Sequence, residues 1–479
     1  MSDPSAALRV TPAPPARLEP DAISAAQDTV IGMANAAPAV SVGLTLAALA
    51  ATTAYAGGPV ILVTALPMLV IANAYRRLNL WNANCGASFE WVGRAISPYL
   101  GFMTGWLMVT GSLIGSLAGV VVLAPSVLAV VGAATAGAGP NIAIAIAVIA
   151  VMLVIAVIGI RITAQTQVAM AAVEYVILAG FAVAGLAFVL HHHPGTFPLR
   201  PGWFTLGGIG GKGNVTAGFL LAVFMYTGWD ATVYVNEEVR HRRENPGRAA
   251  MLAVTFLAVI FAAATVGLQG IVSPGRLQAH STSALVYTAT ALGGPGWARL
   301  MALALALSVI ASTGTGIVII ARLIYSMASY RVLPPSLANI SRRYSTPVPA
   351  SVLTGLLLAV LAWLYLGTSS VQSAFNDLIA VTGLLYAGFY VLTALAAIVY
   401  YRRRVLASPL DALTLGVLPV GATAFLCWLV GKSVQAAPAP QVWSLAAILV
   451  AGVIVMMAAR FGLHSSFFAI PRESDTPRH

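Results

Sequence analysis

Hydrophobic residues dominate this 479-residue chain in long continuous runs rather than in an alternating pattern. A helix of about 20 mostly apolar residues crosses the roughly 30 Å hydrocarbon core of a bilayer. Only helices and closed barrels satisfy the backbone in lipid, and continuous runs favour helices. The fold class predicted is an all-α membrane protein with 12 transmembrane helices. The spans are expected at residues 23–50, 58–75, 95–131, 141–160, 166–190, 216–238, 247–272, 297–329, 348–366, 371–401, 408–430 and 441–461.

The composition agrees with this prediction. Hydrophobic residues make up 59% of the chain and charged residues only 8%, with a mean hydropathy of +0.89. Soluble domains carry about 25% charged residues. The chain therefore lacks the polar surface of a soluble enzyme, and it is too hydrophobic to be a disordered scaffold.

The positive charges indicate an orientation. With the N-terminus in the cytoplasm, the outer segments hold only five of the 25 lysines and arginines, namely Arg200, Lys212, Arg276, Arg299 and Lys432. An excess of basic residues on the cytoplasmic side is typical of membrane proteins. We therefore expect a multi-pass protein of the plasma (inner) membrane with both termini in the cytoplasm. The net charge of +11 then reflects topology and does not indicate a nucleic-acid partner.

Two spans carry residues that interrupt a helix. Span 1 contains Pro38, and the polar residues Asn35 and Ser41 lie on either side of it in the sequence. Proline has no N–H and therefore removes one helical hydrogen bond. Span 6 places Gly228 beside the ionisable Asp230 in mid-membrane. Either interruption alone is typical of a simple kink. Paired interruptions in two halves of a chain indicate an inverted-repeat transporter with a site near the membrane midplane.

The interruptions occupy corresponding places in two five-helix blocks. Because five is odd, the second block enters the membrane from the opposite side. The domains predicted are a disordered cytoplasmic tail at 1–21, a first repeat at 22–190, an inverted second repeat at 216–401, two additional helices at 408–461 and a cytoplasmic tail at 462–479.

Three stretches resemble one family in the same order along the chain. They are Tyr226–Arg248, with its Gly-Trp-Asp and Glu-Glu-Val motifs, the loop Tyr75–Trp106, and the end of span 8 from Arg322 to Pro347. The chain resembles the amino acid–polyamine–organocation transporter superfamily, as an amino acid permease. The resemblance implies a 5+5 inverted repeat with broken helices 1 and 6, and alternating access for a small nitrogenous solute. The segment Asn35–Pro38 stands where many members have a Gly-Ser-Gly-like run whose amides hold the substrate carboxylate.

The resemblance also implies a binding site between the two broken helices, with walls from spans 3 and 8. The substrate-binding residues expected are Asn35, Ala36, Ala37, Pro38, Ser112, Ser116, Phe224, Tyr226, Gly228, Trp229, Asp230, Ser312 and Gly316. Cys85 and Cys427 lie far apart without metal-type spacing, so neither a metal nor a cofactor is expected.

Two acids inside the membrane are candidates for proton coupling, Glu174 and Asp230. Asp230 either attracts a substrate ammonium or couples a gate, or it caps the half-helix that follows it. Glu174 stands where sodium-independent relatives in the family often carry a lysine. As the alternative, Glu174 is a permanently neutral packing residue bonded to span 1 or 8. Its partners would then be Ser312 and Thr313, which can also coordinate sodium.

At the cytoplasmic end of span 6, Glu237, Glu238 and Arg240 are expected to form a gate, an ion-pair network that also includes Arg242 and Arg243. The leading hypothesis is a secondary active transporter that imports an amino acid, coupled to protons. The alternative is an importer or exchanger of an amine, polyamine or ethanolamine-like cation, which Asp230 and the missing glycine run favour. A non-transporting receptor is a remote alternative, and no nucleophile pairing indicates an enzyme. The partners expected are the solute, protons and the lipid bilayer.

Overall fold

The computed structural model describes residues 17–133, 137–191, 197–209, 214–368 and 371–474. Nearly all of its regular structure is helical. The α-helices are α1 Ala25–Asn35, α2 Pro38–Thr53, α3 Gly57–Trp81, α4 Ser88–Ala95, α5 Pro98–Val130, α6 Ala138–Ile158, α7 Ile160–Leu190, α8 Val215–Met225, α9 Ala231–Tyr234, α10 Asn245–Gln269, α11 Pro274–Ala279, α12 Ala284–Ser329, α13 Val348–Thr368, α14 Val371–Tyr401, α15 Pro409–Asp411, α16 Leu418–Ala436 and α17 Ala439–Met457. Short 3₁₀ and π turns join or extend several of them.

Eleven helices in these ranges are long and apolar enough to cross a membrane. They confirm the predicted class, an all-α membrane protein. The predicted sixth span is not a continuous helix, because α8 ends at Met225 and only the four-residue α9 follows the break. The predicted eighth span is the second part of α12, whose backbone leaves helical geometry at Gly293 and Gly294.

Both predicted interruptions are present, and in span 1 the local sequence explains where the two half-helices begin and end. The side chains and backbones of Ser24 and Gln27 bond reciprocally at the start of α1, a capping box that fixes its first turn. After α1 ends, Ala37 adopts a left-handed backbone with φ of 46°. Pro38 then starts α2 at the first helical position, where its missing N–H costs no helical bond.

Spans at corresponding positions of the two halves pack against each other. The pairs are α2 with α8, α3 with α10, α5 with α12, and α6 with α13, for spans 1 and 6, 2 and 7, 3 and 8, and 4 and 9. The interrupted first span is 83% buried over its most apolar window, whereas the last span is only 11% buried. The broken helices therefore form the centre of the bundle, and the additional helices lie at its periphery.

One end of the bundle, here called the basal end, is formed by residues 17–24, α4 and residues 463–474. The C-terminal segment is docked there, because the Phe467 ring stacks on Phe89 with centroids 4.1 Å apart. Glu473 forms an ion pair with Arg94 at 2.8 Å. These residues fall within the predicted C-terminal tail, and they pack against α4.

The docking of Phe467 depends on the small size of Gly93. A Cβ atom at Gly93 would lie 2.6 Å from Cζ of Phe467. Gly93→Val is expected to displace the segment 463–474 and to cost about 1–3 kcal/mol, as overpacking does in cores. Thermal unfolding and protease cleavage near residue 467 measure this effect. Gly421→Val is the control, because no atom lies within 4 Å of its Cβ position, and an equal loss in both variants would contradict the account.

Candidate substrate-binding site

A cavity of about 60 Å³ lies between the two interrupted spans. One water needs roughly 10–15 Å³ by this measure, so the cavity has room for a few waters or a small solute. Seven of the residues expected to bind substrate line it: Asn35, Ala36, Ala37, Ser112, Ser116, Phe224 and Ser312.

Other lining residues were not predicted. The start of α2 adds Val40, Ser41 and Leu44, and α5 adds Gly115, Ala118 and Gly119. Thr227 comes from the break in span 6, and α14 contributes Thr382 and Tyr386. Span 10 is therefore a wall of the cavity. Sequence reasoning missed it because hydroxyls are common along membrane helices and the pattern does not say which helical face turns inward.

The lining is half polar and half apolar, and it carries no charged side chain. Its polar groups are one amide, from Asn35, and hydroxyls of serine, threonine and tyrosine, and none of the lining residues is Asp, Glu, Lys or Arg. Some hydroxyls are engaged within the protein, as in the 3.0 Å hydrogen bond between Ser112 and Tyr386. The buried Thr382 hydroxyl has no hydrogen-bond partner in the part of the chain that the structure describes. The cavity thus offers hydrogen bonds to a solute without a side-chain counter-ion.

Six of the expected residues lie outside this lining: Pro38, Tyr226, Gly228, Trp229, Asp230 and Gly316. The Tyr226 hydroxyl turns away and donates to the carbonyl of Ile61 at 3.1 Å. The Trp229 ring packs between Tyr75 and Tyr390, with centroids 5.0 and 5.3 Å away. Gly316 lies behind Ser116, since a Cβ there would be 2.6 Å from the serine hydroxyl.

Asp230 is buried behind the cavity wall rather than in it. Its Oδ1 accepts a hydrogen bond from the Tyr390 hydroxyl at 2.8 Å, and 1% of the residue is exposed. It occupies the N-cap position of α9 but makes no side-chain capping bond. The capping alternative for Asp230 is therefore not what the structure shows.

The two breaks are bonded to each other. The Asn35 side-chain amide donates to the Gly228 carbonyl at 3.1 Å. Gly228 has φ of +103°, a conformation that side chains rarely adopt, and its Cα faces the Asn35 backbone. This contact separates the cavity from Asp230.

Gly228→Ala is expected to disrupt that contact. Its Cβ would lie 2.8 Å from the Asn35 carbonyl oxygen, and the backbone angle adds strain. Strain of this kind costs about 1–3 kcal/mol. We expect a lower thermal midpoint and weaker ligand binding, measured by ligand-dependent unfolding. Gly180→Ala is the control, since nothing lies within 4 Å of its Cβ position. An unchanged Gly228→Ala protein would show that the two breaks do not depend on this close approach.

Glu174 contacts the start of α2. Its Oε1 accepts the Ala39 N–H at 2.9 Å, and no part of the residue is exposed. Its Oε2 forms no hydrogen bond with a described residue, although Ser308 of α12 lies beside the carboxyl. Ser312, which was considered as a partner, instead donates to the Val309 carbonyl. Glu174 thus occupies the N-terminus of a half-helix that has no cap of its own.

The predicted gate residues are arranged differently from the expected network. Glu238 pairs with Arg322 of α12 through two bonds of 2.5 and 2.8 Å, and both side chains are 0% exposed. Glu237 accepts the Cys85 N–H, and Arg240 donates to the Asp21 carbonyl. Within the described ranges, neither acid forms an ion pair with Arg242 or Arg243, which follow the left-handed residue His241. The ionic partner comes from span 8 rather than from the basic loop.

A second polar cluster at the basal end is centred on Glu90. Glu90 forms an i,i+4 ion pair with Arg94 at 3.4 Å. Tyr330 and Asn82 donate to the same carboxylate oxygen, each at 3.2 Å. Burial raises the pKa of Glu90, and Arg94 with these donors opposes that rise.

One further buried acid was missed by sequence reasoning. Asp28 of α1 is 0% exposed, and neither carboxylate oxygen has a hydrogen-bond partner. Its position inside an apolar run was the available signal. In the described ranges no group of three or more His, Cys, Asp or Glu residues is placed to hold a metal ion.

The fold and the cavity between paired helix breaks define a secondary transporter. The structure is similar to that of MhsT in complex with L-phenylalanine, with a TM-score of 0.59 and 14% identity over 86% of this chain and 99% of that one. A sequence model of the amino acid permease family matches residues 28–460. The chain belongs to this family.

Two human relatives are similar over a shorter stretch. The large neutral amino acids transporter small subunit 2 is 30% identical over 142 residues, which cover 30% of this chain and 26% of that protein. The Asc-type amino acid transporter 1 is 28% identical over 138 residues, 29% of this chain and 26% of that protein. The matched stretch is thus about a quarter of the length of these relatives.

Proposed function

We propose that this protein imports a small neutral amino acid across the plasma membrane, coupled to protons, and that the solute binds in the cavity between the two helix breaks. The observation that carries the proposal is the uncharged, hydroxyl-rich lining of that cavity. A neutral amino acid carries its two charges on the main-chain groups. Those charges suit the carbonyl end of α1 and the amide end of α2, whose dipoles have opposite signs.

The proposed size limit follows from the walls. Ala36, Ala37, Gly115 and Gly119 leave space next to the breaks, while Leu44 and Phe224 bound it with bulky side chains. Glycine, alanine and serine are the expected substrates. The names of the human relatives support an amino acid as the solute class.

We place Glu174 in the coupling step because it links protonation to one wall of the cavity. An ionised carboxylate is stabilised at a helix N-terminus, and a protonated one loses most of that interaction. Protonation of Glu174 therefore weakens the hydrogen bond that it accepts from the Ala39 N–H. Ala39 is two residues from Ala37, which lines the cavity. The basal end is proposed to face the cytoplasm, in accordance with the distribution of arginines along the sequence, and its gate includes the pair of Glu238 and Arg322.

One observation favours the amine alternative. At the start of α2, Pro38 has no N–H and the Ala39 N–H is already bonded to Glu174. Fewer amides therefore remain for a substrate carboxylate. Against this, the one acid of the break, Asp230, lies outside the cavity lining.

A thermal-shift screen of the purified protein tests the proposal, because a ligand that binds the folded state raises its stability by about 2.7 kcal/mol at 100 times its Kd. Glycine, L-alanine and L-serine are expected to stabilise the protein, and L-phenylalanine, L-arginine, putrescine and ethanolamine are not. Gly119→Leu fills the cavity and is expected to abolish the shift, whereas Gly180→Leu, at a position with no atom within 4 Å, is expected to keep it. Stabilisation by amines alone would support the alternative.

A further inference from the structure

Two buried tyrosines one helical turn apart connect the cavity with the break in span 6. Tyr386 and Tyr390 lie on α14, and they are 5% and 0% exposed. Residues four apart on a helix share a face, so both rings point towards the centre of the bundle. Their ring centroids are 5.8 Å apart.

Tyr386 contacts the cavity directly. It is part of the lining, and its hydroxyl shares a 3.0 Å hydrogen bond with Ser112 of α5. Asn35, at the break of span 1, lines the same cavity. A tyrosine hydroxyl both donates and accepts, so a solute that replaces Ser112 keeps the group satisfied.

Tyr390 contacts the unwound segment of span 6. Its hydroxyl donates to Asp230 Oδ1 at 2.8 Å and accepts the Gly228 N–H at 3.4 Å. Its ring stacks on Trp229 with an interplanar angle of 22°. One side chain therefore engages three consecutive residues of the segment between α8 and α9, where the backbone forms turns rather than a continuous α-helix.

We propose that Tyr386 is a substrate-contacting residue and that Tyr390 is a positioning residue that transmits occupancy of the cavity to the break in span 6. The proposal rests on the proposed function and deepens it. A solute that bonds to the Tyr386 hydroxyl fixes α14 against α5. The Tyr390 hydroxyl lies one turn further along the same continuous helix, so a displacement of α14 also moves this hydroxyl. Gly228 and Asp230, which are bonded to it, move as well.

The two roles predict different kinetic defects. Tyr386→Phe removes a hydroxyl from the cavity, so the Kd and KM for L-alanine are expected to rise about tenfold, as for the loss of one hydrogen bond, with little change in kcat. Tyr390→Phe keeps the stacked ring but releases Gly228 and Asp230. Its kcat for transport is expected to fall about tenfold, while the Kd is unchanged.

The experiment uses the full-length protein, with Kd measured by thermal shift and transport measured in reconstituted vesicles. Tyr287→Phe is the control, since its ring stacks on His280 outside the cavity. The unchanged Kd also reports that Tyr390→Phe is folded. Equal defects in the two variants, a raised Kd in Tyr390→Phe, or wild-type kinetics in both would overturn the inference. If the wild-type protein binds and transports nothing in the panel, the proposed function fails instead.

Discussion

Glu174→Gln is expected to abolish pH-driven accumulation of the solute while sparing its binding and exchange. Glutamine keeps the size of the side chain and an oxygen that accepts the Ala39 N–H, but it cannot gain or lose a proton. One pH unit stores about 1.4 kcal/mol per proton, which drives about tenfold accumulation. In vesicles that carry the variant, the solute concentration inside should therefore rise only to the concentration outside.

Vesicles loaded with unlabelled alanine distinguish exchange from pH-driven accumulation, because exchange of labelled for unlabelled alanine needs no proton gradient. Glu244→Gln is a suitable control, since Glu244 forms an exposed ion pair with Arg248 away from the cavity. A variant that still accumulates solute would reduce Glu174 to a packing residue. A requirement for sodium would point instead to Ser312 and Thr313 as ion ligands. Thr313 is compatible with that role, because its hydroxyl is buried and unpartnered.

Among the substitutions considered, Arg322→Met is expected to lower the free energy of unfolding the most. The substitution leaves the Glu238 carboxylate in a site that is 0% exposed and removes Arg322, its ionic partner. Breaking a buried ion pair in this way costs about 3–5 kcal/mol. Chemical or thermal unfolding in detergent measures the change. The exposed pair of Arg161 and Glu19 gives the matched control, because Arg161→Met should cost at most about 1 kcal/mol.

The double variant Glu238→Gln with Arg322→Met distinguishes stability from gating. Replacing both charges removes the uncompensated carboxylate, so most of the lost stability should return. If the pair holds the basal end closed, the double variant should still transport poorly. Full recovery of both stability and coupled transport would show that the pair only packs the end of the bundle.

The sequence predicted the parts of the fold that depend on local chemistry. Proline and glycine often interrupt helices, and Pro38 and Gly228 each lie near polar residues inside an apolar run, so both breaks are visible in the sequence. Pro67 and Pro125 lie within continuous helices, so a proline alone does not predict a break. The limits of most spans followed from hydrophobic runs. The sequence predicts a broken sixth span over 216–238, but its apolar residues continue past the break and do not reveal that α9 is only four residues long.

The site was predicted less completely, because its contacts join residues far apart in the chain. Tyr390 and Asp230 are 160 positions apart, and Glu238 and Arg322 are 84 apart. A local pattern gives no information about such pairs. The adjacent arginines favour a loop network for Glu238, yet its ionic partner in the structure is Arg322 of α12. The family resemblance implies that Asp230 is part of the binding site, but its carboxylate accepts a hydrogen bond from Tyr390 and the residue lies outside the cavity lining.

The central claim is that the cavity serves proton-coupled uptake of a small neutral amino acid. Its most direct test is the uptake of labelled L-alanine by the wild-type protein in sodium-free vesicles, with the outside made one pH unit more acidic. The account predicts that alanine accumulates about tenfold above the outside concentration for one proton per solute. A protonophore should remove this accumulation. Uptake that only reaches the outside concentration, or that requires sodium, would contradict the account.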